Sequence, residues 1–289
     1  MPLFKYVTLD RKNPDLDRID ILVNQEIRFT QLGEFNDPFE MPVYIEQAVE
    51  MSELKQNVEK NLREKVKTGY QKLSPRAKRR EPFKKFYKDF KDRTLNELDQ
   101  SLDGQHKKLT SDARGILEQA IQKNGVLSLT ETQDNLLMWS HYSGQHTGMV
   151  IEFDKSHSFF DELEITGDNS LLFHRVKYSD IRPNWKTIKH RKMQDIMLTK
   201  SSEWSYEKEV RIVKAFSNAK RTIPKLPYDI CLFDMPATAI KRVILGARVS
   251  PADTDRIKNI LRTTPHLGHI RLQQACLDER RFALNFADC

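Results

Sequence analysis

The stretch from Lys200 to Lys214 constrains the fold most. It sets Glu203, Trp204, Tyr206, Glu207 and Lys208 directly ahead of a run in which Glu209 and Arg211 alternate with Val210 and Ile212. A period of two belongs to a half-buried strand, so a β-strand with a charged mouth is expected here. Lys208 would then point away from its neighbours, leaving Glu207, Glu209 and Arg211 on one face. Two carboxylates so close tend to push one pKa up, which suits acid or base work. Arg211 on the same face would instead tie them into a structural ion-pair network.

Upstream, residues 3–9 read as a first strand, Asn13-Pro14-Asp15 as a turn, Ile19 to Val23 as a short helix and residues 26–30 as a second strand. The loop after it, Gln31 to Glu40, carries Gly33, Asn36, Asp37 and Pro38, all suited to tight backbone geometry. Phe35 and Phe39 are expected to pin it to the core, leaving Asn36 and Asp37 fixed for a turn or a ligand contact.

Between residues 43 and 124 β-branched residues become scarce and Lys, Glu, Gln and Leu recur at helical spacing, which reads as a helical insertion. Residues 55–93 hold 15 Lys and Arg against 5 Asp and Glu, an excess greater than the +7 of the whole 289-residue chain. Here Arg79 and Arg80 precede Lys84 and Lys85, which are interleaved with Phe83, Phe86 and Tyr87. Such a run can neutralise phosphates and stack on bases, with strong salt dependence. The alternative is a solvated lysine-rich helix with its aromatics turned inward.

Further strands read at residues 125–130, 147–153, 171–178, 239–246, 269–273 and 281–284, with a turn at 181–185 and a basic helix at about 186–198. A helix over 251–261 starts from Ser250 as N-cap and Pro251 at its first position. Trp139, His141, Tyr142, Gln145 and His146 fall within eight positions and suggest a pocket for a flat, partly charged ligand such as a nucleotide base or nicotinamide. The histidine spacing matches no zinc pattern, and no metal is expected. Cys231, Cys276 and Cys289 form no CxxC pair.

Strands at both ends around a helical block predict an α+β fold with a mixed, mostly antiparallel central sheet. Residues 1–42 and 125–289 would form the core and 43–124 the insertion. No glycine-rich phosphate loop supports a P-loop or Rossmann reading. No run approaches the roughly 18 apolar residues of a membrane span and no signal peptide is recognisable, so a cytoplasmic protein without a membrane partner is expected.

Three signatures occur in order: Phe35-Asn36-Asp37-Pro38-Phe39-Glu40, then Leu137-Met138-Trp139-Ser140-His141-Tyr142 with Gly148, then Lys200, Trp204, Tyr206, Glu207, Glu209 and Arg211. Together they resemble an uncharacterised bacterial domain-of-unknown-function family (family 2971), over about residues 3–246 outside the insertion. That resemblance implies no activity.

The opening strand, helix and second strand ending in Thr30, with Glu207-Lys208-Glu209 heading a late strand, also resemble the ADP-ribosyltransferase fold. This second resemblance implies NAD as substrate. Glu209 would stabilise the oxocarbenium-like ribose, as carboxylates do in glycoside hydrolysis, and Glu207 would orient or deprotonate the acceptor. Tyr6 or Tyr142 would stack on nicotinamide and Arg28 or Lys5 meet the pyrophosphate, with Thr30, Asn36, Asp37 and Trp139 completing the NAD site and His141 beside the glutamates. The expected acceptor is nucleic acid, RNA favoured, in a toxin or phage-defence setting with an inhibitory antitoxin protein as partner. The alternatives are a non-enzymatic nucleic-acid or nucleotide-binding module, and a metal-dependent nuclease using Asp37, Glu207, Glu209 and His141.

Overall fold

Short β-branched and aromatic runs form the strands, and long runs of Lys, Glu, Gln and Leu form the helices. The computed structural model describes residues 2–11, 18–40, 44–161, 174–190 and 193–289. In chain order the first elements are β1 (Leu3–Val7), α1 (Asp20–Val23), β2 (Glu26–Phe29) and β3 (Tyr44–Ile45). Three helices come next: α2 (Met51–Gln71), α3 (Pro75–Arg80) and α4 (Phe83–Gln122). Then come β4 (Asn124–Thr130), α5 (Leu136–Tyr142), β5 (Met149–Phe153), α6 (Ser158–Asp161), β6 (His174–Arg175), β7 (Lys177–Ser179), β8 (Asn184–Trp185) and α7 (Met193–Met197). The chain continues with β9 (Thr199–Ser201), β10 (Glu209–Ala215), β11 (Arg221–Ile223), β12 (Ile230–Asp234) and β13 (Ile240–Leu245). It closes with α8 (Pro251–Thr263), β14 (Arg271–Leu277) and β15 (Leu284–Asp288).

Two compact units result, one of Met1–Met41, Ile121–Arg182 and Ile196–Cys289, the other of Pro42–Ala120 and Pro183–Asp195. The first is built on an eight-stranded sheet ordered β15-β14-β13-β5-β1-β4-β10-β6. Among the described residues only β13 and β14 run parallel in it, so the sheet is mixed and mostly antiparallel. One face packs Leu3, Leu127, Leu129, Val210 and Ile212 against Ile27, Phe29 and Phe233 of the small sheet β11-β12-β2 and against Ile257 and Leu261 of α8. On the other face Phe4, Tyr6, Val150 and Ile244 pack with Met138 and Trp139 of α5. Ser250 caps α8 as its hydroxyl accepts from the Asp253 amide.

The pairing of this sheet is uneven at one seam. β1 pairs with β5 at five positions and β4 with β10 at seven, yet β1 meets β4 at a single position, Phe4 opposite Thr130. Thr30, at the end of β2, bridges to Val126 further along β4. The sheet therefore parts between β1 and β4.

In the second unit Tyr70 packs on Phe83 and Phe86 with centroids 5.3 and 5.4 Å away, and Phe83 stacks on Tyr87. These aromatics face one another, while Arg79, Arg80, Lys84 and Lys85 are exposed. The stretch expected as a turn ends in β8, which pairs in parallel with β3 and buries Trp185. Within the basic helix expected at 186–198, Ile188–His190 is a 3-10 turn and Met193–Met197 the short α7, with residues 191–192 outside the described residues. Elsewhere the 171–178 strand is two short strands at 174–175 and 177–179, with 171–173 outside the described residues. The last strand begins only at Leu284, since Asp278 turns the chain by accepting from the Arg280 and Arg281 amides.

Candidate functional site

Glu209 is the first residue of β10 and the last before the strand is Lys208, whose φ of +43° is left-handed. That conformation costs an L-residue roughly 1 kcal/mol. It ends the 3-10 turn Ser202–Glu207, which Ser201 starts by accepting from the Glu203 amide. Glu207 is therefore not a strand residue, contrary to the alternation expected from sequence. The two glutamates nevertheless converge, because Lys200 on β9 reaches both: Nζ donates to Glu207 Oε2 at 2.6 Å and to Glu209 Oε2 at 3.4 Å.

Arg211 is fully buried and donates through Nε to Glu209 Oε1 at 2.7 Å and through Nη2 to Glu209 Oε2 at 3.0 Å. Its Nη2 also donates to Glu40, and Nη1 to the Met197 carbonyl at 2.7 Å. The Phe35 ring lies 5.1 Å from the guanidinium. Lys200 completes the cluster with Glu40 Oε1 at 3.2 Å and the Trp204 ring at 4.8 Å. On the far side of Glu207, Tyr142 donates its hydroxyl to Oε1 at 2.5 Å. Glu40, Glu207, Glu209, Lys200 and Arg211 are all buried. With every group ionised the five carry a net charge of −1.

Burial of such charges is tolerated only because each is paired and hydrogen-bonded. Burial alone raises the Glu209 carboxyl, but the charge and hydrogen bonds of Arg211, with Lys200, bring it down to about 2. Glu40 goes the other way, burial lifting it above its ordinary range despite Arg211 and Lys200. Lys200 is raised, because Glu209, Glu40 and Glu207 outweigh its desolvation. Burial and the Glu207 charge push the Tyr142 hydroxyl up, so it remains a donor. Burial and Arg18 lower the Lys5 amine to about 8, against a smaller opposing effect of Glu209.

A cavity of about 430 Å³ lies where β1 and β4 part. Lys5, Tyr6, Arg28, Thr30, Asn36, Asp37, Tyr142, Glu207 and Glu209, all singled out from sequence, line it together. It also takes in Glu40, Lys200, Arg18, Glu34, Ser128 and Thr130, to which sequence spacing assigns no role. Both Glu40 and Lys200 stand in the signatures, but their roles depend on long-range pairing that spacing does not reveal. Arg28 is ion-paired to Glu34, and Asp37 Oδ1 accepts from the Phe39 amide at 2.9 Å. Asp37 Oδ2 is buried without a hydrogen-bond partner.

Two expected residues lie elsewhere. Trp139 is fully buried, stacks on His146, meets Tyr6 edge-on at 5.3 Å and donates Nε1 to the Gln133 carbonyl, so no ligand reaches its ring. His141 is exposed on α5 and does not line the cavity. It is thus apart from Asp37, Glu207 and Glu209, and among the described residues no group of three or more His, Cys, Asp or Glu is arranged to hold a metal ion. Phe39 is corrected too: it is 63% exposed under Arg182, and Glu40, not Phe39, ties the loop to the core through Arg211.

Among the described residues no helix is long and apolar enough to cross a membrane. The family described as "Protein of unknown function (DUF2971)" matches residues 138–212, which contain the second signature from Met138 onward and all of the third, but not the loop from Phe35 to Glu40. No curated protein and no solved structure matches the chain.

Proposed function

We propose that the cavity binds NAD and that the protein transfers its ADP-ribose to nucleic acid, with RNA the favoured acceptor. One observation carries this reading: a carboxylate, Glu209, held by hydrogen bonds from Arg211 and Lys200, lines a cavity that also presents Lys5, Arg18 and Arg28. When the nicotinamide–ribose bond breaks, nicotinamide leaves with the bonding pair and positive charge develops at ribose C1 and the ring oxygen. A fixed anion in a site of low polarity stabilises that charge without reorganising. The acceptor then bonds to C1 and loses its proton.

Glu207, which accepts from Tyr142 and Lys200, holds the Tyr142 hydroxyl in place beside the ligand. Arg18 and Arg28 take the pyrophosphate, Tyr6 or Tyr142 flanks the nicotinamide, and Thr30, Asn36 and Asp37 take hydroxyl or amide groups. Arg79, Arg80, Lys84 and Lys85 supply sequence-independent affinity for phosphates. A toxin or phage-defence role, restrained by an antitoxin protein, is the biological setting that goes with this activity.

A second reading has its own support. Arg211 and Lys200 neutralise most of the carboxylate charge, as in a module that binds nucleotides without turning them over. The two separate on incubating the protein with NAD labelled in its adenylate part, together with RNA, DNA or cell extract, beside a Glu209→Gln variant. Label transfer that falls 10²- to 10³-fold, a typical loss on removing one stabilising group, in the variant fits the first. NAD binding with no turnover favours the second, and absence of NAD binding overturns the first.

A further inference from the structure

We propose that Lys5 is a reactive amine that condenses with an aldehyde on a phosphate-bearing ligand. This goes beyond ADP-ribose transfer and holds whether or not NAD is the substrate.

Lys5 sits on β1 at the parting of the sheet and lines the cavity. Its Nζ donates to the Ser128 carbonyl at 3.2 Å and, among the described residues, makes no ion pair. Lys200, by contrast, is shared by three carboxylates. The charged groups that act on Lys5 are Arg18 and Arg28, which oppose its protonation, and Glu209, which favours it. A desolvated lysine beside another cation is the type of amine that forms imines with carbonyl compounds. With a pKa of about 8, half of it is unprotonated at pH 8, against roughly 0.3% of an ordinary lysine.

The same surroundings specify the rest of the ligand. Arg18 and Arg28 line the cavity with Lys5, so two guanidiniums stand at the same wall as the amine. A guanidinium matches the oxygens of a phosphate. In the reaction the amine lone pair forms a C–N bond to the aldehyde carbon, and the carbinolamine loses one water to leave the imine. No electron donor or acceptor is consumed. Free ADP-ribose, formed when water intercepts the cleavage of NAD, is one such ligand, since its opened ribose ends in an aldehyde.

The test uses the unaltered protein and pyridoxal 5′-phosphate, trapped with borohydride and mapped by peptide mass. Lys5 is expected to label at least about tenfold faster than the exposed Lys84 and Lys88, with a rate that climbs with pH to a midpoint near 8. Pyridoxal without its phosphate should label Lys5 at least about tenfold more slowly, the loss of roughly one charged hydrogen bond, and inorganic phosphate should slow the phosphate ester. Labelling of Lys5 no faster than Lys84, or equal rates for the two aldehydes, overturns the proposal. Since the trap involves no NAD, its failure and a failure of NAD turnover are read independently.

Discussion

Arg211 grips Glu209 through two hydrogen bonds, of 2.7 and 3.0 Å, from a guanidinium wholly sealed from solvent. Removing it strands Glu209 and Glu40 as buried charges. Arg211→Met is therefore expected to destabilise the protein by about 3–5 kcal/mol, read as a lower urea midpoint at unchanged slope. A loss under about 1 kcal/mol would show that water or Lys200 replaces the guanidinium.

The same pair sets an acid limb of stability. Glu209 is held at about 2 when folded, below the roughly 4 of a free glutamate. A depressed carboxyl contributes stability fully present above its unfolded pKa and lost as pH falls toward its folded pKa. Glu40, raised in the fold, acts with the opposite sign above about pH 4. Unfolding free energies measured from about pH 5 to about pH 2 should fall by about 3 kcal/mol more in wild type than in Glu209→Gln; parallel curves would contradict the pairing.

Tyr142 gives its hydroxyl to Glu207 at 2.5 Å, and Tyr142→Phe leaves that oxygen without this donor. A hydrogen bond to a charged group is worth about 1.5–3 kcal/mol. The variant should lose about that much stability, and Glu207→Gln should couple to it by about 0.5 kcal/mol or more in a double-mutant cycle. Strict additivity of the two losses would mean the contact carries no energy.

Neutralising Arg79, Arg80, Lys84 and Lys85 to Gln leaves the fold intact, because all four side chains are exposed. If they contact RNA phosphates, the slope of log affinity against log salt should shrink by about 3, at roughly 0.7 per contact for single strands. An unchanged slope assigns RNA binding to other residues.

Much of the site is legible in the chain because it depends on short-range pattern. The alternation around Val210 and Ile212 foretells β10, and the loop from Phe35 to Glu40 and the pair Glu207 and Glu209 all reach one cavity. The failures share a cause. Nearness in sequence groups Trp139, His141 and Tyr142, whereas α5 sorts them by helical face: Met138 and Trp139 go inward, and Leu137 and His141, four apart, go out to solvent. Lys208 hides its effect as well, since a left-handed lysine carries no signature in sequence. That Lys200 bridges both glutamates requires β9 to be placed beside them, which is tertiary information.

Glu40 and Arg211 lie 171 positions apart, and the cavity's walls come from segments that precede and succeed the long helices α2 to α4 in sequence. A pocket assembled from such distant stretches forms late, after loop closure has brought the stretches together. During synthesis the first 200 residues emerge with β1 and the Glu40 loop in place but no β10 to complete them. The cavity is thus incomplete until β10 has been made, an order written into the strands without any added regulator.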